Sequence, residues 1–306
     1  MTDPGKQLNR KSIRGFTLIE ILVASSVMVV LVGIVAYIAS AVMGSWNRSS
    51  GKLSANAEAR FVLDVIGQDL ETAVLCNNGQ QWLRVDQATL AGNAPYTSDQ
   101  SDSVTLKLFA PALDQANDNG IYAIAYKLEY QPTYPNGPDT YALYRMVINP
   151  QATMANYLSS KFDDPTDSAT VQSSLQGNGI GTANWSNAAI TNTSNYLAGN
   201  IVSFKIFVYD EASIPKPANA DPALNTLNKN YAYGGIFPAT DPNNPSAPEN
   251  TNQPLYADII LTVVTDQGME LLNNIKQNLI PDDPADVVMQ HGETFVRRVY
   301  FKSNTL

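Results

Sequence analysis

The stretch GFTLIEILVASSVMVVLVGIVAYIASAVM, residues 15–43, decides the fold of this chain. Before it come Lys6, Arg10, Lys11 and Arg14 against a single Asp3, a short positive leader of the kind retained in the cytoplasm. Ile21 to Met43 then carries no charge over 23 residues. At about 1.5 Å per residue such a helix crosses a hydrocarbon core of about 30 Å. Trp46 and Arg48 follow, where an amphipathic ring and a snorkelling cation suit the lipid–water boundary. The expectation is a single-pass anchor with the C-terminal bulk outside the cytoplasmic membrane. Glu20, at the head of the apolar run, is the feature that needs a reason.

Two processing routes compete. Ala39-Ser40-Ala41 has the small-x-small form of a signal-peptidase site, which would release a protein beginning at Val42. The apolar run before it is longer than the usual 7–15 residues, and this route gives Glu20 no role. The second route starts from Gly15-Phe16-Thr17-Leu18-Ile19-Glu20, after a basic leader and before about 20 apolar residues. This pattern resembles the type IV prepilin motif. The resemblance implies cleavage between Gly15 and Phe16 by a prepilin peptidase, N-methylation of Phe16, and a stem that stays on the mature chain. It also gives Glu20 an assembly role, since in that family the matching glutamate meets the terminal amine of a neighbouring subunit. A lone ionisable group in a bilayer costs about 2.5–3.5 kcal/mol on insertion scales, and pairing makes two such charges tolerable. The competing reading is a carboxylate held at the membrane surface by the helix dipole. Many major pilins carry a kinking proline where this chain has Tyr37, which points to a minor pilin or pseudopilin; Gly33 is the stem's remaining weak point. Glu20 itself argues against the tip-capping K-type pseudopilins, which typically lack it.

Composition narrows the rest. With 19 Lys+Arg against 28 Asp+Glu the chain is acidic, so no nucleic-acid partner is expected. Cys76 is the only cysteine and His291 the only histidine, which excludes an internal disulfide and Cys- or His-rich metal sites. No nucleophile elbow, dinucleotide fingerprint or phosphate loop occurs, so no enzyme activity and no cofactor are expected.

Periodicity predicts a second helical stretch over 44–76. Phe61, Val65, Asp69 and Ala73 form one line, with Val62, Ile66, Leu70 and Val74 on the next. Arg60 and Asp64 are placed to pair on its outer face. The Ser/Gly patch at 44–51 is expected to bend the helix, and Cys76 to end it as a small buried hydrophobe. The segment is loosely similar to that of J-type minor pseudopilins, through ARFVLDVIGQDLETAV (59–74). Strand-like runs follow at 81–85, 103–109, 121–130, 140–148, 201–209, 256–264 and 294–301, rich in β-branched and aromatic residues. Residues 266–280 read as a short helix stopped by Pro281 or as a loop. The expected architecture is α+β: leader 1–15, stem 16–43, amphipathic helix 44–76, and a head over 77–306 built on an antiparallel sheet.

Long polar segments at 159–200 and 211–254 read as surface loops. Acidic clusters at 114–120, 162–167 and 281–287 lack EF-hand spacing and are explained by turn chemistry as well as by calcium; no metal site is expected. Tyr122, Tyr126, Tyr130, Tyr141 and Tyr144 fit sheet packing better than a sugar platform. The run FVRRVYFK (295–302) is the one compact basic patch and reads as a strand. The leading expectation is a structural subunit of a type II secretion pseudopilus or type IV pilus-like filament. It would sit in the inner membrane, head outward, with prepilin peptidase and other pilin subunits as partners. A membrane-anchored adhesin or DNA-uptake head, or a secreted protein, are the alternatives.

Overall fold

The structure, a computed structural model, describes residues 17–76, 82–88, 90, 94–97, 103–111, 120–134, 137–154, 186–211, 231–233, 249–250 and 252–302. The chain divides into two compact units, residues 1–50 and 51–306. Helix α1 spans Leu18–Glu71, and its helical assignment continues without a break through the Ser/Gly patch at 44–51. The boundary between the units falls inside that patch.

In the first unit, α1 is apolar on every side and exposed on every side. Leu22, Val29, Val32, Val35 and Ile38 all stand at 50% exposure or more. A helix without a polar face needs an apolar surround. Covering each such side chain is worth about 1.5–3 kcal/mol, so the whole segment represents a driving force on the order of tens of kcal/mol towards lipid or neighbouring stems.

In the second unit, the last part of α1 packs on a sheet. Ala55, Ala59, Val62, Leu63, Ile66 and Leu70 are buried, a stripe at three- and four-residue spacing. The stripe is rotated from the expected one: Phe61 is 54% exposed, while Ala59 and Leu63 are inside. Asp64 pairs with Arg297 rather than with Arg60. The helix ends at Glu71, five residues before Cys76, and Val74 N–H already bonds the Phe109 carbonyl at 2.7 Å. Cys76 is half-buried against a small apolar cluster. Gly67 serves a close approach here, because a Cβ would lie 2.7 Å from Arg297 Nε.

The sheet has ten strands among the described residues: β1 (Leu83–Ala88), β2 (Ser103–Ala110), β3 (Tyr122–Pro132), β4 (Asp139–Ile148), β5 (Tyr196–Gly199), β6 (Ile201–Asp210), β7 (Tyr231–Tyr233), β8 (Glu249–Asn250), β9 (Pro254–Val264) and β10 (Gly292–Tyr300). They run β10-β9-β6-β2-β1-β7-β8, with β3, β4 and β5 branching from β2. The sheet is mixed rather than purely antiparallel. β2 meets β6 in parallel at Ser103 and Phe204, and β7 meets β8 in parallel. The crossing follows from the chain path, since a long excursion separates β2 from β6 and lets them meet in either direction. Strand alternation sets the faces. Along β2, Val104, Leu106 and Leu108 join the main core with α1, while Thr105, Lys107 and Phe109 face the other way. Phe109, Trp82, Tyr144, Met146 and Ile190 form a second, smaller cluster on that opposite face.

Short elements fill what read as loops. Within 159–200, residues 186–199 hold helix α3 (Asn187–Ile190), a 3₁₀ turn at Thr193–Asn195 and β5; helix α2 (Pro150–Thr153) precedes them. Within 211–254, β7 and β8 pair with each other, and β7 with β1. Helix α4 spans Asp266–Lys276, capped by Thr265, whose Oγ1 accepts from Gly268 N–H at 3.2 Å. It stops before Pro281: Asn278 takes φ 56, and Leu279 N–H bonds the Asn274 carbonyl at 2.9 Å. Helix α5 (Pro284–His291) is an element the sequence reading did not contain.

Candidate assembly site on the apolar stem

Helix α1 opens with a capping box. Thr17 stands just before the first helical residue, and its Oγ1 accepts from Glu20 N–H at 3.3 Å. In return Glu20 Oε2 accepts from Thr17 N–H at 2.8 Å and from Thr17 Oγ1 at 3.0 Å. Two amide donors that a helix start would leave open are thus served by one Thr-x-x-Glu pair. Both bonds to the carboxylate converge on Oε2. The side chain is exposed, at the same end of the helix as the positive pole of its dipole. Local bonds hold Glu20 in place, and among the described residues its carboxylate bonds are those of Oε2 with Thr17.

Gly15 and Phe16, the expected cleavage and methylation residues, lie outside the described residues, as does the basic leader. Of the candidate site, the structure therefore places Glu20 and the helix it heads. Sequence reasoning found Glu20 by its charge but missed Thr17. The signal for it was present, a threonine three residues before a glutamate at the start of an apolar run.

A buried ionic constellation ties α1 to the sheet, and it too went unread. Asp69 on α1 is 3% exposed and meets Arg145 of β4 in a bidentate pair, Nε–Oδ2 at 3.0 Å and Nη2–Oδ1 at 3.1 Å. Tyr126 of β3 donates to the same Oδ2, and Arg145 Nε lies 2.9 Å from the Tyr126 hydroxyl. Burial and the Asp69 charge hold the Tyr126 phenol well above the usual tyrosine range. Its chemistry is structural: two strands and the helix are tied at one point.

Other candidate residues fall into scaffolding roles. Asp283, in the acidic run 281–287, caps α5 by accepting from Ala285 N–H at 2.9 Å, with Pro284 as the first helical residue. The run at 114–119 and that at 162–167 lie outside the described residues. Among the described residues no three His, Cys, Asp or Glu side chains gather as a metal site would require. Tyr122, Tyr126, Tyr130, Tyr141 and Tyr144 are all buried in the sheet. In the basic run, Arg297 pairs with Asp64 and Glu71, and Arg298 with Asp258 at 2.7 Å. His291 ends α5, and its carbonyl accepts from Thr265 N–H at 3.0 Å. Burial pushes the Cys76 thiol up, which disfavours a reactive thiolate.

Comparison with known proteins agrees with the stem. The family model described as a prokaryotic N-terminal methylation motif matches residues 10–36. This match supports a type IV prepilin-like protein, a kind that serves as a structural subunit, and with the apolar helix it points to a single-pass membrane anchor. Neither a curated protein nor a solved structure matches the chain.

Proposed function

We propose that this chain is a minor pilin or pseudopilin, nearest to the J-type, made as a prepilin and assembled into a type II secretion pseudopilus or type IV pilus-like filament. The prepilin peptidase cuts between Gly15 and Phe16 and methylates Phe16. The stem from Phe16 to Met43 stays in the inner membrane until the subunit is drawn into the filament, with the head outside the cytoplasm. The observation that carries this reading is the methylation motif at residues 10–36 running directly into an apolar helix headed by Glu20.

Assembly then follows from electrostatics in lipid. The Phe16 amine of one subunit and the Glu20 carboxylate of the next are each costly alone in hydrocarbon, and each relieves the other. The capping box supports this reading, because it holds the Glu20 carboxylate at the head of the stem through bonds to Oε2 from Thr17. The pairing also fixes the axial register between stems, as one buried polar pair does in other helical assemblies.

The test is incorporation. Glu20→Ala is expected to be cleaved and inserted normally yet to be missing from filaments isolated with their partner subunits. Glu20→Asp keeps the charge but shortens the reach, and should recover part of the incorporation. Filament levels of Glu20→Ala equal to wild type would overturn the pairing.

A further inference from the structure

Strand β10 stands at one end of the sheet, and among the described residues it pairs with β9 alone. Two hydrogen bonds fix which of its peptide groups face that neighbour. Thr265 N–H reaches the His291 carbonyl at 3.0 Å, and Phe301 N–H reaches the Leu255 carbonyl at 3.0 Å, both continuing the register of the β9–β10 ladder. Along an antiparallel strand the peptide groups turn to one side and the other at alternate residues. The odd-numbered residues from 291 to 301 therefore bond β9, while Thr294, Val296, Arg298 and Tyr300 turn N–H and C=O to the open side. The side chains of these same four residues are exposed, Val296 at 63% and Tyr300 at 64%. The ladder keeps one register over the 9 residues of β10, and the strand contains no proline. A long, flat edge with exposed apolar side chains is what sheets commonly avoid. The other strands that end the sheet, β5 and β8, have 4 and 2 residues.

We propose that the open edge of β10 receives an extended segment of another protein as an added antiparallel strand. A row of alternating peptide donors and acceptors is matched in full by another peptide backbone. The side-chain chemistry of that segment is read from β9, which already meets the same four side chains on their other flank. Tyr256 lies opposite Tyr300, Asp258 opposite Arg298, Ile260 opposite Val296 and Thr262 opposite Thr294. The Tyr256 and Tyr300 rings are 5.8 Å apart, Arg298 holds Asp258 at 2.7 Å, and the two threonine hydroxyls are 3.0 Å apart. Tyr209 of β6 stacks on Tyr256 at 4.5 Å, so an aromatic row crosses three strands and ends at the open edge on Tyr300. The incoming strand continues that row with an aromatic residue and sets an aliphatic one beside Val296. Beside Arg298 it carries a carboxylate. The guanidinium has donors beyond the two that Asp258 takes, its side chain is 47% exposed, and Lys302, exposed just past the strand, adds positive charge at the same end. A second copy of β10 supplies no acid there, because its outer face presents Thr294, Val296, Arg298 and Tyr300. The edge lies wholly in the head and does not depend on the stem reading.

The experiment uses the full chain in detergent and a fluorescent peptide, Tyr-Thr-Asp-Thr-Ile-Thr-Thr, which keeps the outer-face pattern of β9 and places threonine between. Fluorescence anisotropy is expected to show saturable binding to the wild type. Val296→Pro removes an outward N–H and no bond to β9, and should bind the peptide about tenfold more weakly or worse. The same peptide methylated on its Asp and Ile nitrogens loses the donors that face β10 and should not bind. If Val296→Pro fails to fold, the comparison of methylated and unmethylated peptides on the wild type decides. No binding of the unmethylated peptide, equal binding of the methylated one, or equal binding to a folded Val296→Pro overturns the proposal. A dimer of the chain alone, seen by sedimentation and dissolved by Val296→Pro, assigns the edge to a second copy and overturns it as well.

Discussion

Removing the Asp69 carboxylate should be the most damaging single change in the head. Asp69 reaches from α1 into the sheet and accepts from two groups at once, the Arg145 guanidinium and the Tyr126 hydroxyl. With both ionic partners under a tenth exposed, Asp69→Ala removes the bidentate carboxylate from a buried guanidinium. Breaking a buried pair from one side costs about 3–5 kcal/mol. In a head of this size each 1 kcal/mol moves the melting midpoint by about 2–4 °C, so a drop of about 10 °C is expected. Tyr126→Phe leaves the ion pair intact and loses one hydrogen bond to a charged group, a cost of about 1.5–3 kcal/mol. The informative variant is the double one. Asp69→Leu with Arg145→Met replaces the pair by apolar side chains and should be more stable than either single change, because no charge is stranded. Urea denaturation of the full chain in detergent, read by far-UV dichroism with the slope checked for constancy, gives all four values. If Asp69→Ala lost under 1 kcal/mol, or the double variant were the least stable, the pair would not tie helix to sheet as argued.

Three further outcomes follow. Lys107, whose pKa is lowered to about 8 in the folded state from 10.5, binds its proton less tightly folded than unfolded, so stability should rise with pH between about 8 and 10; Lys107→Met should flatten that rise in denaturation midpoints taken across the window. Asp283→Ala removes the cap of α5 and should cost about 1 kcal/mol, seen as faster amide hydrogen exchange at Ala285 to Val288. Thr17→Val breaks the capping box and should lower filament incorporation less than Glu20→Ala does, since the carboxylate itself remains.

Strands were legible because each carries its own evidence. In SVTLKLFA, alternate residues differ in kind, and that difference is what one buried apolar face imposes. The stem was legible for the same reason, since composition alone marks a helix with no polar side. What escaped depends on distance. Asp64 has a basic residue four positions away, and local spacing favoured Arg60; the fold supplies Arg297 from β10 instead. Asp69 sat in an apolar stripe without explanation because its partner lies 76 residues further on. The buried stripe is rotated, exposing Phe61 and burying Ala59, a matter of tertiary packing that periodicity does not carry. Helix α5 was missed for a different reason. Asp283-Pro284 is a sound helix start, but the acidic run around it reads equally as a turn. The buried lysines of β2 and β3 alternate like any solvent-facing residues, and nothing local indicates that a cavity lies over them.

The most direct test of the central claim is the intact mass of the mature chain extracted from membranes. A polypeptide that begins at Phe16, carries one added methyl group and keeps its stem is the predicted result. A soluble product beginning at Val42 would contradict the account.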